Sequence, residues 1–440
     1  MNRSRKPSRR GRLIGDGRTG KMIASVKMLA RREGNLTGRA RFMSSDRCHL
    51  SSRYLPDDGP SVIDRMHSCA YVSQFSADGT LFVAGFQDSD IKIYSVDNGW
   101  NVKKNIHARN LHWTITDTSL SLDQRFLVYS SMAPIVHIVN IGSSMTESVA
   151  NITEIHEGLD FSGHANYTFG IFSVKFSSDG RDLVASSSDD ALYVYDLAAN
   201  KLNVRIPGHR SDVNTVCFAD ESGNILYSGS DDHLCKVWDR RCLGTRGKAS
   251  GILTGHLEGI TFIDSHGDGR HLISNGKDQV IKLWDIRKMS SNTHGVKLPK
   301  HFEWDYRWME YPSNLRNRRH PNDQSVTTYR GHRVLRTLIR CYFSPSYSTG
   351  QRYIYTGSAD GNIYIYDLAY LTLYSVFIEA LLCGQCRRWC WGMFFCSKEP
   401  YKYDKGQHNA TDVSLVVKRL IPTVHNLPTC KLSLMFCICE

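Results

Sequence analysis

The chain has 440 residues, 41% hydrophobic and 22% charged, with a net charge of +12, which is an ordinary make-up for a soluble globular protein. The charge is local: residues 1–42 hold thirteen Lys or Arg against Asp16 and Glu33, so the total does not imply a basic patch on the remainder. No apolar run follows the basic start, which excludes a typical secretory signal, and the basic stretch 21–32 is too short and too charged to span a bilayer.

In chain order, residues 1–65 read as a basic, largely disordered arm and a turn-rich lead-in. Its run Arg3-Ser4-Arg5-Lys6-Pro7-Ser8-Arg9-Arg10 suits a nuclear import signal or nonspecific nucleic-acid contact, so nucleic acid is expected only through this arm. Six self-similar units follow over residues 66–368, with a period of roughly 40–45 residues. Gly163-His164, Gly208-His209, Gly255-His256 and Gly331-His332 open four of them; Tyr195-Asp196, Trp238-Asp239, Trp284-Asp285 and Tyr366-Asp367 close them. Inside each lie short β-branched and aromatic runs separated by turn residues. In the third unit these are 171–176, 183–186 and 192–195, parted by Ser177-Ser178-Asp179-Gly180 and Asp189-Asp190, steps suited to tight hairpins. Two weaker units precede, from about Ala70 to Tyr94 and from Trp113 to Val139; both lack Gly-His, and Asn140 replaces the closing Asp of the second.

Two insertions interrupt the units. Residues 143–165 read as an acidic loop carrying Glu147, Glu154, Glu157 and Asp160, and residues 289–330 add a long segment between units five and six. The second contains an aromatic patch with Trp304, Tyr306, Arg307 and Trp308, which is either a partner-binding loop or a set of rings packed on the edge of the repeats. Trp304-Asp305-Tyr306-Arg307 also spells Trp-Asp-x-Arg, but no alternating strand precedes it.

After Tyr366-Asp367-Leu368 the repeat pattern stops, and residues 369–440 read as a non-repeat, Cys-rich tail holding seven of the thirteen cysteines. The spacing of Cys383, Cys386, Cys390 and Cys396 matches no zinc module, and neither a metal nor a cofactor is expected. Cysteines such as Cys217 and Cys235 read as buried apolar fillers in a reducing, nucleocytoplasmic setting. No phosphate-binding Gly loop, Gly-x-Ser-x-Gly step or His-Glu-x-x-His occurs, so nothing in the sequence supports an enzyme.

The units resemble WD repeats, which implies an all-β propeller with four antiparallel strands per blade: six readable blades of an expected seven, the last replaced by an unrelated tail. In that family a His, a strand Ser or Thr, a turn Asp and a closing Trp form a hydrogen-bonded structural set. The resemblance assigns His209, Ser228 or Ser230, Asp231 or Asp232, and Trp238 to unit four, and His256, Ser274, Asp278 and Trp284 to unit five, with His332 in unit six. A 16-residue box ending in Trp-Asp-x-Arg marks WD-repeat substrate receptors that dock on the damaged-DNA-binding adaptor of cullin-four RING ubiquitin ligases. Residues 226–241 (LYSGSDDHLCKVWDRR) and 272–287 (LISNGKDQVIKLWDIR) match it, so Arg241 and Arg287 are the implied docking residues, supported by Asp239 and Asp285. Segments such as Ser130-Ser131-Met132-Ala133-Pro134-Ile135 and Arg330-Gly331-His332-Arg333-Val334-Leu335 are similar to the plant LEC-type WD-repeat proteins and the cullin-four-associated factor eleven branch. The implied function is a noncatalytic receptor that brings unknown target proteins to the ligase in nucleus and cytoplasm. A general WD-repeat scaffold and a chromatin or RNA factor are the alternatives. Loss of a final blade would leave strand edges open, unless the tail, around residues 371–382, supplies strands.

Overall fold

The computed structural model describes residues 61–66, 68–142, 155–163, 168–242, 248–291 and 304–368, residues 29–34 apart from 31, and three strands beyond 368. The import-signal run, His164 and the Cys383–396 cluster lie outside the described residues. The chain divides into two units, 1–55 and 56–440. In the first, a helical turn ends at Gly34, whose N–H donates to Ala30 O at 2.8 Å.

In the second unit, strand β1 (Ser61–Met66) is followed by six four-stranded antiparallel blades. Blade one is β2 (Ala70–Phe75), β3 (Leu81–Phe86), β4 (Asp90–Ser95) and β5 (Asn101–His107); blade two is β6 (Ile115–Leu120), β7 (Phe126–Ser131), β8 (Ala133–Asn140) and β9 (His156–Asp160). Blade three is β10 (Ile171–Phe176), β11 (Asp182–Ser187), β12 (Ala191–Asp196) and β13 (Lys201–Pro207); blade four is β14 (Val213–Phe218), β15 (Ile225–Ser230), β16 (Cys235–Asp239) and β17 (Gly251–Leu253). Blade five is β18 (Ile260–Ser265), β19 (His271–Gly276), β20 (Val280–Asp285) and β21 (Thr327–Arg330); blade six is β22 (Cys341–Phe343), β23 (Tyr353–Gly357), β24 (Ile363–Asp367) and β25 (Leu373–Val376). The first strand of each blade lies against the first strand of the next, which is the propeller arrangement.

The hairpin between the first two strands has one recurring design. Ser177 Oγ donates to Asp179 at 2.6 Å and accepts the Asp182 N–H at 2.9 Å, while Gly180 supplies a left-handed φ of 69°. Ser76 with Asp78 and Gly79, and Ser121 with Asp123 and Gln124, repeat it in blades one and two. The side chain thus replaces backbone partners that the turn leaves unmatched.

Four sequence expectations change. Residues 156–160, read as acidic loop, form β9, the outer strand of blade two. The long insertion sits within blade five, between β20 and β21, rather than between blades. The segment expected to improvise strands for a seventh blade instead completes blade six as β25. The arm and tail together make a seventh, three-stranded sheet in the order β1, β26 (Val413–Leu420), β27 (Leu432–Cys439), and β27 runs beside β2. Asp64 of β1 accepts from Lys92 Nζ at 2.8 Å and Tyr94 Oη at 2.9 Å, and Ile63 and Met66 pack on the Phe82, Phe86 and Tyr94 cluster of blade one. Residues 61–65, assigned to the arm from sequence, are therefore structural.

Candidate functional site

Trp238 and Trp284, on the third strands of blades four and five, are fully buried. Each indole satisfies its single donor: Trp238 Nε1 donates to Ser228 Oγ at 2.8 Å and Trp284 Nε1 to Ser274 Oγ at 2.7 Å. Ser228 Oγ lies 2.7 Å from His209 Nε2, and His209 Nδ1 lies 2.9 Å from Asp232; the blade-five distances are 2.6 Å for Ser274–His256 and 3.0 Å for His256–Asp278. The choice left open in sequence resolves to Ser228 and Asp232. Burial lowers the His209 pKa and outweighs the pull of Asp232, so the ring is neutral; it accepts from Ser228 and donates to Asp232. Asp232 also takes the Arg210 N–H and lies 3.7 Å from Lys236 Nζ; burial, which alone would raise its pKa, is overcome by these bonds and by the Lys236 charge, holding it at about 2.

Ser, His and Asp in this order resemble a hydrolytic triad. Ser228 and Ser274 are fully buried, each receives a Trp donor, and the set occurs twice among the described residues, so the arrangement ties a loop to its blade. Gly208 completes it: a Cβ there would run into the Trp238 ring. His332 departs from the pattern. Its Nδ1 meets Tyr366 Oη at 2.9 Å and its Nε2 meets Asn275 Oδ1 of blade five at 2.9 Å, so it joins two blades.

Asp239 and Asp285 end β16 and β20, and each caps a short helical turn. The Asp239 carboxylate accepts the Arg241 N–H at 3.0 Å and its Nε and Nη2 at 2.9 and 2.7 Å. Asp285 holds Arg287 by the same fork, with Nη2 at 3.0 Å, and a second guanidinium from Arg270 at 2.7 Å. The arginine side chains remain 64% and 66% exposed, so two planar cations stand outward at equivalent places in adjacent blades. The intervening Arg240 instead turns to Asp182 of blade three.

The aromatic insertion divides between the two sequence readings. Tyr306 and Tyr311 are buried, with Lys277 Nζ 4.4 Å from the Tyr306 ring centre and Trp304 edge-on to Tyr311 at 4.9 Å. Trp308 and Met309 are exposed, and Arg307 lies over Tyr306 at 5.8 Å.

A site that sequence reasoning missed lies in the channel. Asp117, near the start of β6 in blade two, is fully buried and accepts Arg340 Nη1 at 2.8 Å, Lys175 Nζ at 2.8 Å, Ser173 Oγ at 2.8 Å and the Val174 N–H at 3.1 Å. Arg340 belongs to blade six and also donates to Thr116 O at 2.9 Å. Since blades six and two are not neighbours, this pair spans the channel. Burial alone would raise the Asp117 pKa, but Arg340 and Lys175 hold it at about 2. No local pattern links residues 117 and 340, so neither stood out in the sequence.

The family description "WD domain, G-beta repeat" matches residues 156–196, 200–239, 247–285 and 323–367. The chain is 66% identical over 354 residues to the LEC14B homolog of Prunus armeniaca, covering 80% of this chain and 74% of that protein. It is 63% identical over 348 residues to the LEC14B protein of Lithospermum erythrorhizon, covering 79% and 74%. It is 36% identical over 320 residues to the DDB1- and CUL4-associated factor 11 homolog of Caenorhabditis elegans, covering 70% of this chain and 55% of that one. With its propeller, its repeated Trp-Ser-His-Asp sets and this similarity, the chain belongs to the LEC14B family of WD-repeat proteins.

Proposed function

We propose that this protein is a noncatalytic substrate receptor that links target proteins to a cullin-four RING ubiquitin ligase through a DDB1-type adaptor, acting in nucleus and cytoplasm. The observation that carries this reading is the pair Arg241 and Arg287, forked by Asp239 and Asp285 and exposed in adjacent blades. The name of the Caenorhabditis relative supports it. Each fork uses Nε and Nη2, leaving the Nη1 end of a guanidinium for an acceptor on the adaptor, and because the fork is already rigid, little rotamer freedom is lost on docking. The work of such a receptor is proximity: one part of the ring is held by the adaptor while another holds the target, raising the target's effective concentration at the ligase.

The test is co-purification of the adaptor with wild type and with Arg241→Ala/Arg287→Ala. The expected result is loss of adaptor from a variant that melts like wild type. Undiminished adaptor binding overturns the docking assignment, and absence of adaptor from the wild-type preparation leaves the general protein-interaction scaffold as the reading.

A further inference from the structure

The first strand of every blade begins where the second strand ends, as in Ile115 opposite Ser131, Val213 opposite Ser230 and Cys341 opposite Thr356. The third strand ends where the second begins, as in Ile225 opposite Asp239 and His271 opposite Asp285. The starts of the innermost strands therefore open on the face opposite the Arg241 and Arg287 rim.

On that opposite face a cavity of about 50 Å³ is lined by Tyr71, Trp113, Thr114, Phe172, Leu338 and Arg340. Its lining is mixed: the aromatic rings alternate with hydroxyl and amide side chains such as Thr116, Ser173 and Asn214, and Arg340 supplies the cation. Asp117 is one carboxylate set between two cations, Lys175 and Arg340. The other carboxyl near Lys175 is Asp264, which burial pushes up to about 7, so at neutral pH it only partly balances the second cation. Arg340 also lies 5.1 Å from the Phe262 ring centre. Two further observations point to an absent occupant. The Thr114 hydroxyl, on a residue 2% exposed, has no hydrogen-bond partner among the described residues, and a buried polar atom left so is costly. Trp113 holds a left-handed φ of 71° at the cavity edge, a conformation that is strained for a bulky residue and concentrates at functional sites.

We propose that this channel-mouth cavity is a peptide-binding pocket that takes the side-chain carboxylate of a single aspartate or glutamate from a partner polypeptide. The carboxylate is received by the Arg340 guanidinium and the Thr114 hydroxyl, and its chain is flanked by the Tyr71, Trp113 and Phe172 rings. Charge complementarity selects the occupant: an acidic group neutralises the surplus cation, whereas a basic one adds to it. That the occupant is a ligase target rests on the receptor reading above; the pocket chemistry does not.

The test uses the full chain and three fluorescent octapeptide libraries, randomised at the flanking positions without charged residues. One carries a central glutamate with an amidated C-terminus, one a central glutamine with an amidated C-terminus, and one a central glutamine with a free C-terminal carboxylate. The expected result is retention of the glutamate library at least about tenfold above the glutamine library, the size of one charge-assisted hydrogen bond. Leu338→Asp, which places a carboxylate at the half-buried mouth without breaking the Arg340–Asp117 pair, should abolish that preference, and Thr114→Val should weaken it several-fold. Equal retention of the first two libraries overturns the proposal, as does a glutamate preference unchanged by Leu338→Asp. Stronger retention of the free-carboxylate library than of the glutamate library overturns the side-chain assignment. Arg241→Ala/Arg287→Ala should leave peptide retention intact, so failure of the pocket and failure of adaptor docking are read separately.

Discussion

Blades four and five bury a tryptophan on the third strand and tie it through serine, histidine and aspartate to the loop that enters the blade. Blades one and two do without this set. In blade one, Tyr94 sends its hydroxyl to Asp64 on β1; in blade two, Tyr129 on the second strand meets His156 of β9 at 2.8 Å and takes the Arg109 N–H at 2.8 Å. The central blades are thus fastened internally, whereas blade one is fastened to the seventh sheet. A blade requires a large buried ring with a satisfied polar tip, and either chemistry meets that requirement.

The sharpest way to break this comparison is to remove the rings. Trp238→Ala should cost about 3–5 kcal/mol, because it opens a cavity and removes the donor to Ser228. Tyr94→Phe, which removes only the hydroxyl facing Asp64, should cost about 1 kcal/mol. Equal losses in chemical denaturation would show that the two kinds of blade are not fastened differently. Next, Arg340→Met leaves Asp117 buried with Lys175 as its remaining cation and should cost about 3 kcal/mol, while adding Asp117→Leu should recover part of that loss. A double-mutant cycle with no coupling would remove the channel pair from the account.

The pH dependence is smaller and has two signs. Asp117 and Asp232 have pKa values held down at about 2, so their stabilisation is complete above the ordinary carboxylate range and is lost as pH falls from about 4 toward 2. Asp264 has the opposite sign: burial raises it to about 7, so its contribution is complete only below the ordinary carboxylate range and is lost as pH rises from about 4 through about 7. Asp264→Asn should keep an acceptor for the Phe343 N–H, 2.8 Å away, and flatten the fall in melting temperature between about pH 4 and 7. An unchanged slope would show that another group titrates. The least change in stability is expected at the rim, where Arg241→Ala and Arg287→Ala should leave the melting temperature near wild type because both guanidinium groups are largely exposed.

The parts of the fold legible in sequence are those whose cause is local. Ser-Ser-Asp-Gly at 177–180 encodes its own turn, and Trp-Asp-x-Arg places a capped arginine two residues beyond a strand. Strands β9 and β21 escaped notice because such outer strands are short and largely solvated, and their pairing is set by the strand beside them, whereas β25 falls in a stretch expected to form strands but completes blade six instead. Tyr306 and Trp308 lie two residues apart and one is buried while the other is exposed, a difference that depends on where Lys277 sits. Asp117 and Arg340 were illegible for the plainest reason, since 223 residues separate them.

That separation orders events during synthesis. Asp117 and its nearer cation Lys175 emerge from the ribosome long before Arg340, because chains are made from the N-terminus onward. Until residue 340 is made, the early blades carry a carboxylate whose cross-channel partner does not yet exist. The pair therefore acts as a late fastener: a nascent chain halted before residue 340 holds several finished blades and no bar across the bore, and only the last blade to be threaded sets it.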